Sequence, residues 1–247
     1  KTIKFPSVVR IKTNINAMAA MATGKYIYKS DAHCSFSKGF DEVLSQNMQD
    51  DWIVTPRFYV LNGETWEWQD DRFYDYFYLC CPFTDPKGFR FKAGGHWPER
   101  TQERLISHPD MDETPQIHGS GWFINRDYFL NELNGFPLYK TQTFHAQEPA
   151  WLALRNWLKG GKVMVNKKVW YAHLHQNSNV RGYTQPKEDE ILAYKMVAEH
   201  WMGNKEPNLK YDIQWFLNEK FPNMPTWPSD WKQLHQLWLE GKPWDLR

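Results

Sequence analysis

Asp31 and His33 stand two residues apart at the end of a short β-prone run, Tyr26-Ile27-Tyr28, followed by Lys29-Ser30. In extended backbone, residues i and i+2 point to the same side. The spacing therefore aims a carboxylate oxygen and an imidazole nitrogen at one place. Such a pair suits Mn²⁺ or a similar first-row divalent ion better than the all-oxygen surroundings that Mg²⁺ or Ca²⁺ prefer. Taken alone, the same three residues also describe an aspartate capping a turn beside a surface histidine. The chain has no H-E-x-x-H, which argues against a metallohydrolase.

Several elements must position this pair. Ile11, Ile15, Met18 and Ala22 recur at helical spacing, which predicts a helix from Ser7 to Thr23 with Gly24 as its C-cap. A strand then ends at Asp31, and in open α/β sheets ligands bind at the carboxyl ends of strands. Further along, a helix is expected over Phe40 to Gln46 and a strand over Trp52 to Leu61, broken at Pro56. Residues 62–116 show little periodicity but dense aromatics and turn signals, the pattern of a stretch that wraps a site. Helices are predicted over Asn125–Leu133, over Glu148 to Lys159 with Gly160-Gly161 ending it, and over Ile191 to Met202. Lys162–Val165 and Val169–His173 read as strands. The tail from Pro207 is rich in Trp and Pro, with a helix over Asp230–Glu240 capped by Ser229.

The segment Ala22-Thr-Gly-Lys-Tyr-Ile-Tyr-Lys-Ser-Asp31-Ala-His33-Cys34 resembles the metal-binding segment of GT-A glycosyltransferases of family 2. Among these it is similar to that of the polypeptide N-acetylgalactosaminyltransferases. Other stretches follow in the family's order. Gly94-Gly-His96-Trp97-Pro98 resembles the stretch before the acceptor region, and His118-Gly119-Ser-Gly121-Trp122-Phe-Ile-Asn125 resembles the segment whose small residues let backbone approach the transferred sugar. Gln147-Glu148 opens a helix ending Trp157-Leu-Lys-Gly-Gly161, Val169-Trp-Tyr-Ala-His173 resembles the strand carrying a later histidine ligand, and Lys195–Met202 resembles a helix of the family. The likeness spans residues 9 to 203. Ala172 stands where the family has Gly.

This resemblance implies an α/β fold of GT-A type, a mixed sheet flanked by helices over residues 1–203, with a helical extension over 204–247. The family's nucleotide-binding half, upstream of the D-x-H, is expected to lie outside this chain. The implied activity is transfer of a hexose or N-acetylhexosamine from a UDP-sugar to a hydroxyl of protein Ser/Thr, a glycan or a hydroxymethylated pyrimidine in DNA. Asp31, His33 and His173 would hold Mn²⁺ or Mg²⁺, with His175, facing the same way two residues on, as the alternative to His173. Arg181 and Tyr183, in a polar loop hinged at Gly182, would close over the diphosphate. Glu148 would position the acceptor hydroxyl or act on it as a base, although a glutamate in a helix first turn is also favoured by the dipole. Gly119, Gly121, Trp122, His96 and Trp97 would line the donor and acceptor sites.

Bulk properties narrow the classes further. Lys and Arg number 30 against 29 Asp and Glu, so the overall charge gives no support for a strongly electrostatic nucleic-acid binder. Aromatics make up 17%, with 14 Trp, which keeps open a second reading as a non-catalytic carbohydrate- or nucleic-acid-binding protein. The D-x-H with its later histidine separates the two, because a stacking surface needs no metal ligands. Three cysteines, two of them adjacent, and no membrane-length apolar run lead to the expectation of a reduced, cytoplasmic protein away from any membrane.

Overall fold

Near-continuous apolar runs recur along the chain, and a computed structural model assembles these as the centre of one mixed sheet. The structure describes residues 11–46, 48–91, 94–137, 147–175 and 187–244. The sheet has seven strands: β1 (Tyr26–Ser30), β2 (Cys34–Phe36), β3 (Trp52–Leu61), β4 (Trp68–Tyr74), β7 (Met111–Glu113), β8 (Gly121–Asn125) and β9 (Lys162–His173). The main order is β1-β8-β3-β9-β2, with β4 added on β3 and β7 on β9. Only the β3–β9 pairing among these is parallel; the rest run antiparallel. The two short strands β5 (Phe77–Tyr78) and β6 (Gly95–His96) form a separate pair.

Period-2 alternation divides each strand between two cores. Ile53, Trp122, Ile124 and Val163 face one side and Val54, Phe123 and Met164 the other. The first side is covered by α1 (Ile11–Met21), α4 (Glu148–Lys159) and α5 (Lys187–Met202), the second by α2 (Phe40–Ser45). This is the expected α/β sheet with helices on both faces. The tail continues the first core: Ile213 in α6 (Ile213–Trp215), Phe216, Phe221 and Trp231 at the start of α7 (Trp231–Leu239) pack with α4 and α5. Among the described residues no helix is long and apolar enough to cross a membrane.

Several sequence expectations are corrected. Gly24 lies beyond the end of α1 without a left-handed backbone, so it is not a C-cap; Gly160, at φ +100°, is one. The buried face of α1 carries Lys12, Ile15 and Ala19, whereas Met18 is exposed. β3 runs unbroken through Pro56, because the β3–β9 register shifts between Pro56 and Arg57 and absorbs the missing donor. The same irregularity fuses the two predicted strands 162–165 and 169–173 into β9. The aromatic stretch 62–116 contains β4, β5, β6, β7 and α3 (Pro98–Ser107). The helix predicted over 125–133 is present from residue 126, directly after β8; the Asn125 side chain accepts from the amides of Asp127 (2.9 Å) and Tyr128 (3.2 Å), and the helix widens to a π-helical turn over Tyr128–Glu132. Asp230, not Ser229, occupies the N-cap position of α7.

Candidate functional site

β1 and β2 stand at opposite ends of the strand order, yet only Asp31-Ala32-His33 separates them in sequence. These three residues must therefore cross the sheet, and backbone bonds pin the crossing at both ends. The Asp31 amide donates to the Ser120 carbonyl at 3.2 Å, and the Leu174 amide donates to the His33 carbonyl at 3.1 Å. Cys34 pairs with His173 and Val60 lies beside His173 on the other side. The crossing thus delivers Asp31 and His33 to the carboxyl end of β9, where His173 is.

The three side chains converge. One ligand atom from each of Asp31, His33 and His173 lies within 4.8 Å of the others. His173 Nε2 is 3.2 Å from Asp31 Oδ2, and adjacent ligands of an octahedral ion at roughly 2.1 Å are about 3 Å apart. The His33 and His173 rings are 4.7 Å apart, centre to centre. His173 is buried, and neither of its ring nitrogens has a hydrogen-bond partner; the contact with Asp31 falls outside hydrogen-bond geometry. A buried imidazole is ordinarily satisfied. One whose ring nitrogens make no hydrogen bond of regular geometry, beside a carboxylate and a second imidazole, fits a divalent cation held among the three.

Lys29, which the sequence reading passed over, completes the charge balance. Its ammonium is 2.6 Å from Asp31 Oδ1 and also donates to the Gly119 carbonyl. It lies two residues before Asp31, so the i, i+2 rule that singled out His33 applied to it equally. Burial works against ionisation of Asp31, but His173 and the Lys29 charge outweigh it and hold the carboxyl well below the usual carboxylate range.

His118 is a second residue the spacing did not reveal. Its ring stacks on Phe58 at 4.5 Å, and its Nδ1 lies 2.6 Å from Ser120 Oγ and 2.8 Å from the Tyr171 hydroxyl. Ring centres of His173 and His175 are 6.0 and 6.1 Å away. Burial, reinforced by the charges of His173 and His175, lowers its pKa to about 3. Between about 3 and its ordinary value of roughly 6.5 the folded state binds fewer protons at this position than the unfolded chain. Stability therefore rises with pH across that window and is lost as pH falls through it. A His118→Asn variant is expected to show a shallower fall in melting temperature between pH 6.5 and 4 than the parent; an unchanged slope would remove His118 from the account.

The remaining predicted residues fall into separate places. Glu148 is the buried first residue of α4; burial raises its carboxyl pKa, partly opposed by the charges of Lys29 and Lys12. The next residue, Pro149, abuts Gly119, where an added β-carbon would come within 3.0 Å of Pro149 Cγ. Glu148 and Gly119 thus flank the Lys29–Asp31 pair. Gly121 is closely packed: a β-carbon there would meet the Tyr28 hydroxyl at 2.7 Å and Tyr171 at 2.8 Å. Trp122 is buried, with Phe129 and Phe136 against it, and borders the cleft that ends on Asp31 and His33. His96 packs edge-on to Tyr74 at 4.2 Å and against Phe77, which also packs on His118, while Trp97 lies against Tyr78 and Arg100. Arg181 and Tyr183 lie outside the described residues. A cleft of about 770 Å³ runs between α1 and β1, past Ile15, Ala19 and Tyr28, and ends on Asp31 and His33.

Comparison with known proteins adds four findings. A family model described as glycosyl transferase family 2 matches residues 1–131. Polypeptide N-acetylgalactosaminyltransferase 5 of Caenorhabditis elegans is 25% identical over 155 residues, covering 60% of this chain and 22% of that protein. Putative polypeptide N-acetylgalactosaminyltransferase 13 of Drosophila melanogaster is 22% identical over 217 residues, covering 81% of this chain and 35% of that protein. The fold matches a crystal structure of GalNAc-T7 with UDP, GalNAc and Mn²⁺ at a TM-score of 0.56 and 17% identity, over 92% of this chain and 41% of that one. The chain thus spans between about a fifth and two fifths of the length of the proteins it matches.

Proposed function

We propose that this chain, which belongs to glycosyl transferase family 2, is the metal- and acceptor-facing part of an enzyme that moves a sugar from a UDP-sugar to a hydroxyl acceptor. The observation that carries this reading is the convergence of the buried His173 imidazole with Asp31, 3.2 Å away, and His33. The fold match to a structure holding UDP, GalNAc and Mn²⁺ supports it and favours an N-acetylhexosamine or hexose as the sugar.

Asp31, His33 and His173 would hold Mn²⁺ or Mg²⁺. When bound, such an ion neutralises charge on a leaving diphosphate. The protein's own residues prepare the place. Lys29 fixes the Asp31 carboxylate in its ionised, ligand-ready form and ties it to the Gly119 carbonyl. Glu148, a buried carboxyl whose pKa burial raises, would position the acceptor hydroxyl or act on it as a base. Arg181 and Tyr183 belong to the same proposal as closing residues over the diphosphate. The acceptor hydroxyl is that of a protein Ser/Thr, a glycan or a hydroxymethylpyrimidine in DNA.

Calorimetric titration of UDP with and without Mn²⁺, on the parent and on His33→Ala, tests the reading. UDP binding that requires Mn²⁺ and disappears in the variant is the expected result. A folded sample that binds no UDP with Mn²⁺, even with the family's upstream segment restored, would sink it and leave a non-catalytic binding protein in front.

A further inference from the structure

On the face of the sheet opposite the histidine cluster, β4 and β9 form a groove of about 430 Å³ lined by Trp66, Glu67, Trp68, Asp70, Asp71 and Trp170. Strand alternation fixes its side. Trp170, Ala172 and Leu174 pack with Tyr59 and Leu61, whereas Tyr171 packs with Phe58 on the side of His173. The groove is therefore separate from the metal residues, although it shares β9 with them.

Trp66 is 53% exposed and Trp68 39%, two of the few large apolar side chains so open among the described residues. Their presentation is built rather than incidental. The connection between β3 and β4 is closed by the Asn62 amide donating to the Glu67 carbonyl (2.8 Å) and the Trp66 amide donating to the Asn62 carbonyl (3.0 Å). Asn62 Oδ1 accepts from the Glu64 amide at 2.9 Å. Trp66 itself takes a left-handed φ of 59°. Such a pre-ordered turn lowers the entropy lost when a ligand binds.

The geometry selects the ligand. One face of the Trp68 ring is covered by Tyr59, stacked at 4.2 Å and 19°, and Trp170 meets Trp68 edge to face at 5.1 Å and 81°. Two perpendicular indoles make a corner, not the broad open platform on which a sugar ring lies flat. Around the corner the charged side chains are all carboxylates, Glu67, Asp70 and Asp71. Arg72 neutralises Asp70, which leaves Glu67 and Asp71 to set the sign. An aromatic corner rimmed by carboxylates suits a cation held over the ring faces.

We infer that this groove docks a basic segment of a polypeptide, with a lysine or arginine side chain seated between Trp66, Trp68 and Trp170. The inference reaches beyond the transferase reading and does not depend on metal or UDP binding.

An amidated, acetylated tetralysine is the probe, followed through the indole N–H signals of ¹⁵N-labelled protein, with Trp66 and Trp68 identified by Trp66→Phe and Trp68→Phe. Shifts confined to the Trp66, Trp68 and Trp170 signals are expected, weakening with added salt. Glu67 and Asp71 are exposed, so the double variant Glu67→Gln/Asp71→Asn keeps its fold, checked by melting, and is expected to bind about 10-fold less tightly or worse. His33→Ala is expected to bind the peptide unchanged, which separates this result from the donor-site test. Three outcomes overturn the inference: no shifts at millimolar tetralysine, equal binding by the double variant, or shifts with neutral maltotetraose in place of tetralysine, which would make the groove a glycan surface.

Discussion

Asp31→Asn is expected to lower Mn²⁺ affinity by at least about 100-fold, since removing even a residue that merely supports a metal ligand costs roughly 10–100-fold. The substitution keeps the shape of the side chain and removes only its charge, so the loss would report ligation rather than misfolding. A second effect comes with it. Lys29, whose side chain is only 10% exposed, loses its counter-ion, and stability falls by about 1 kcal/mol, discounted because the carboxylate is partly open to water. Adding Lys29→Met should recover the melting temperature without recovering Mn²⁺ binding. Electron paramagnetic resonance of free Mn²⁺ during titration, beside thermal melting, measures both. Parent-like Mn²⁺ affinity in Asp31→Asn would refute the assignment of the metal ligands.

Trp122→Ala is expected to destabilise the protein by about 3–5 kcal/mol, the usual cost of emptying a buried aromatic site. Trp122 has no exposed surface and sits at the centre of the larger core, between β8, Phe129 and Phe136. Trp122→Phe, which keeps most of the packing, should retain UDP and Mn²⁺ binding. If instead Trp122→Phe melts like the parent but loses ligand binding, the indole is a recognition group after all. Denaturant melts combined with the same calorimetric titration distinguish the two.

What could be read from the sequence follows from which physical signals each element carries. α4 was legible to the residue because its apolar positions, Pro149 in the first turn and Gly160 after the last all agree. α3 was invisible because it has no apolar stripe. Thr101 is its one buried residue and Ile106 is almost fully exposed. Polar contacts hold it instead: Arg104 pairs with Asp112 at 3.0 Å, and Lys167 donates to the carbonyls of Arg104 and His108 at its C-terminal end. Periodicity cannot register a helix docked by charges from elsewhere in the chain. β9 read as two strands because Asn166-Lys167-Lys168 interrupts its apolar pattern where the register shifts. At the site, Asp31 and His33 were legible because two-residue spacing survives any tertiary arrangement of an extended run. Lys29 obeyed the same rule and was overlooked. His118 followed no local rule, since only the fold brings its ring to Phe58 and Tyr171.

The parallel pairing of β3 with β9 also governs the order in which the molecule assembles. Trp52 meets Lys162, 110 residues further along, whereas β3 and β4 are joined by a short turn. Closing a long loop must be accomplished before its contacts give any return, so pairings of this kind form late and slowly while hairpins form early. His173 is the last residue of β9, and Asp31 and His33 reach it by crossing the strands in between. The ligand atoms therefore cannot gather in a partly folded chain. If Asp31, His33 and His173 hold a divalent ion as proposed, that capacity would arise only with the final closure of the sheet, and the ion would discriminate the finished molecule from its precursors.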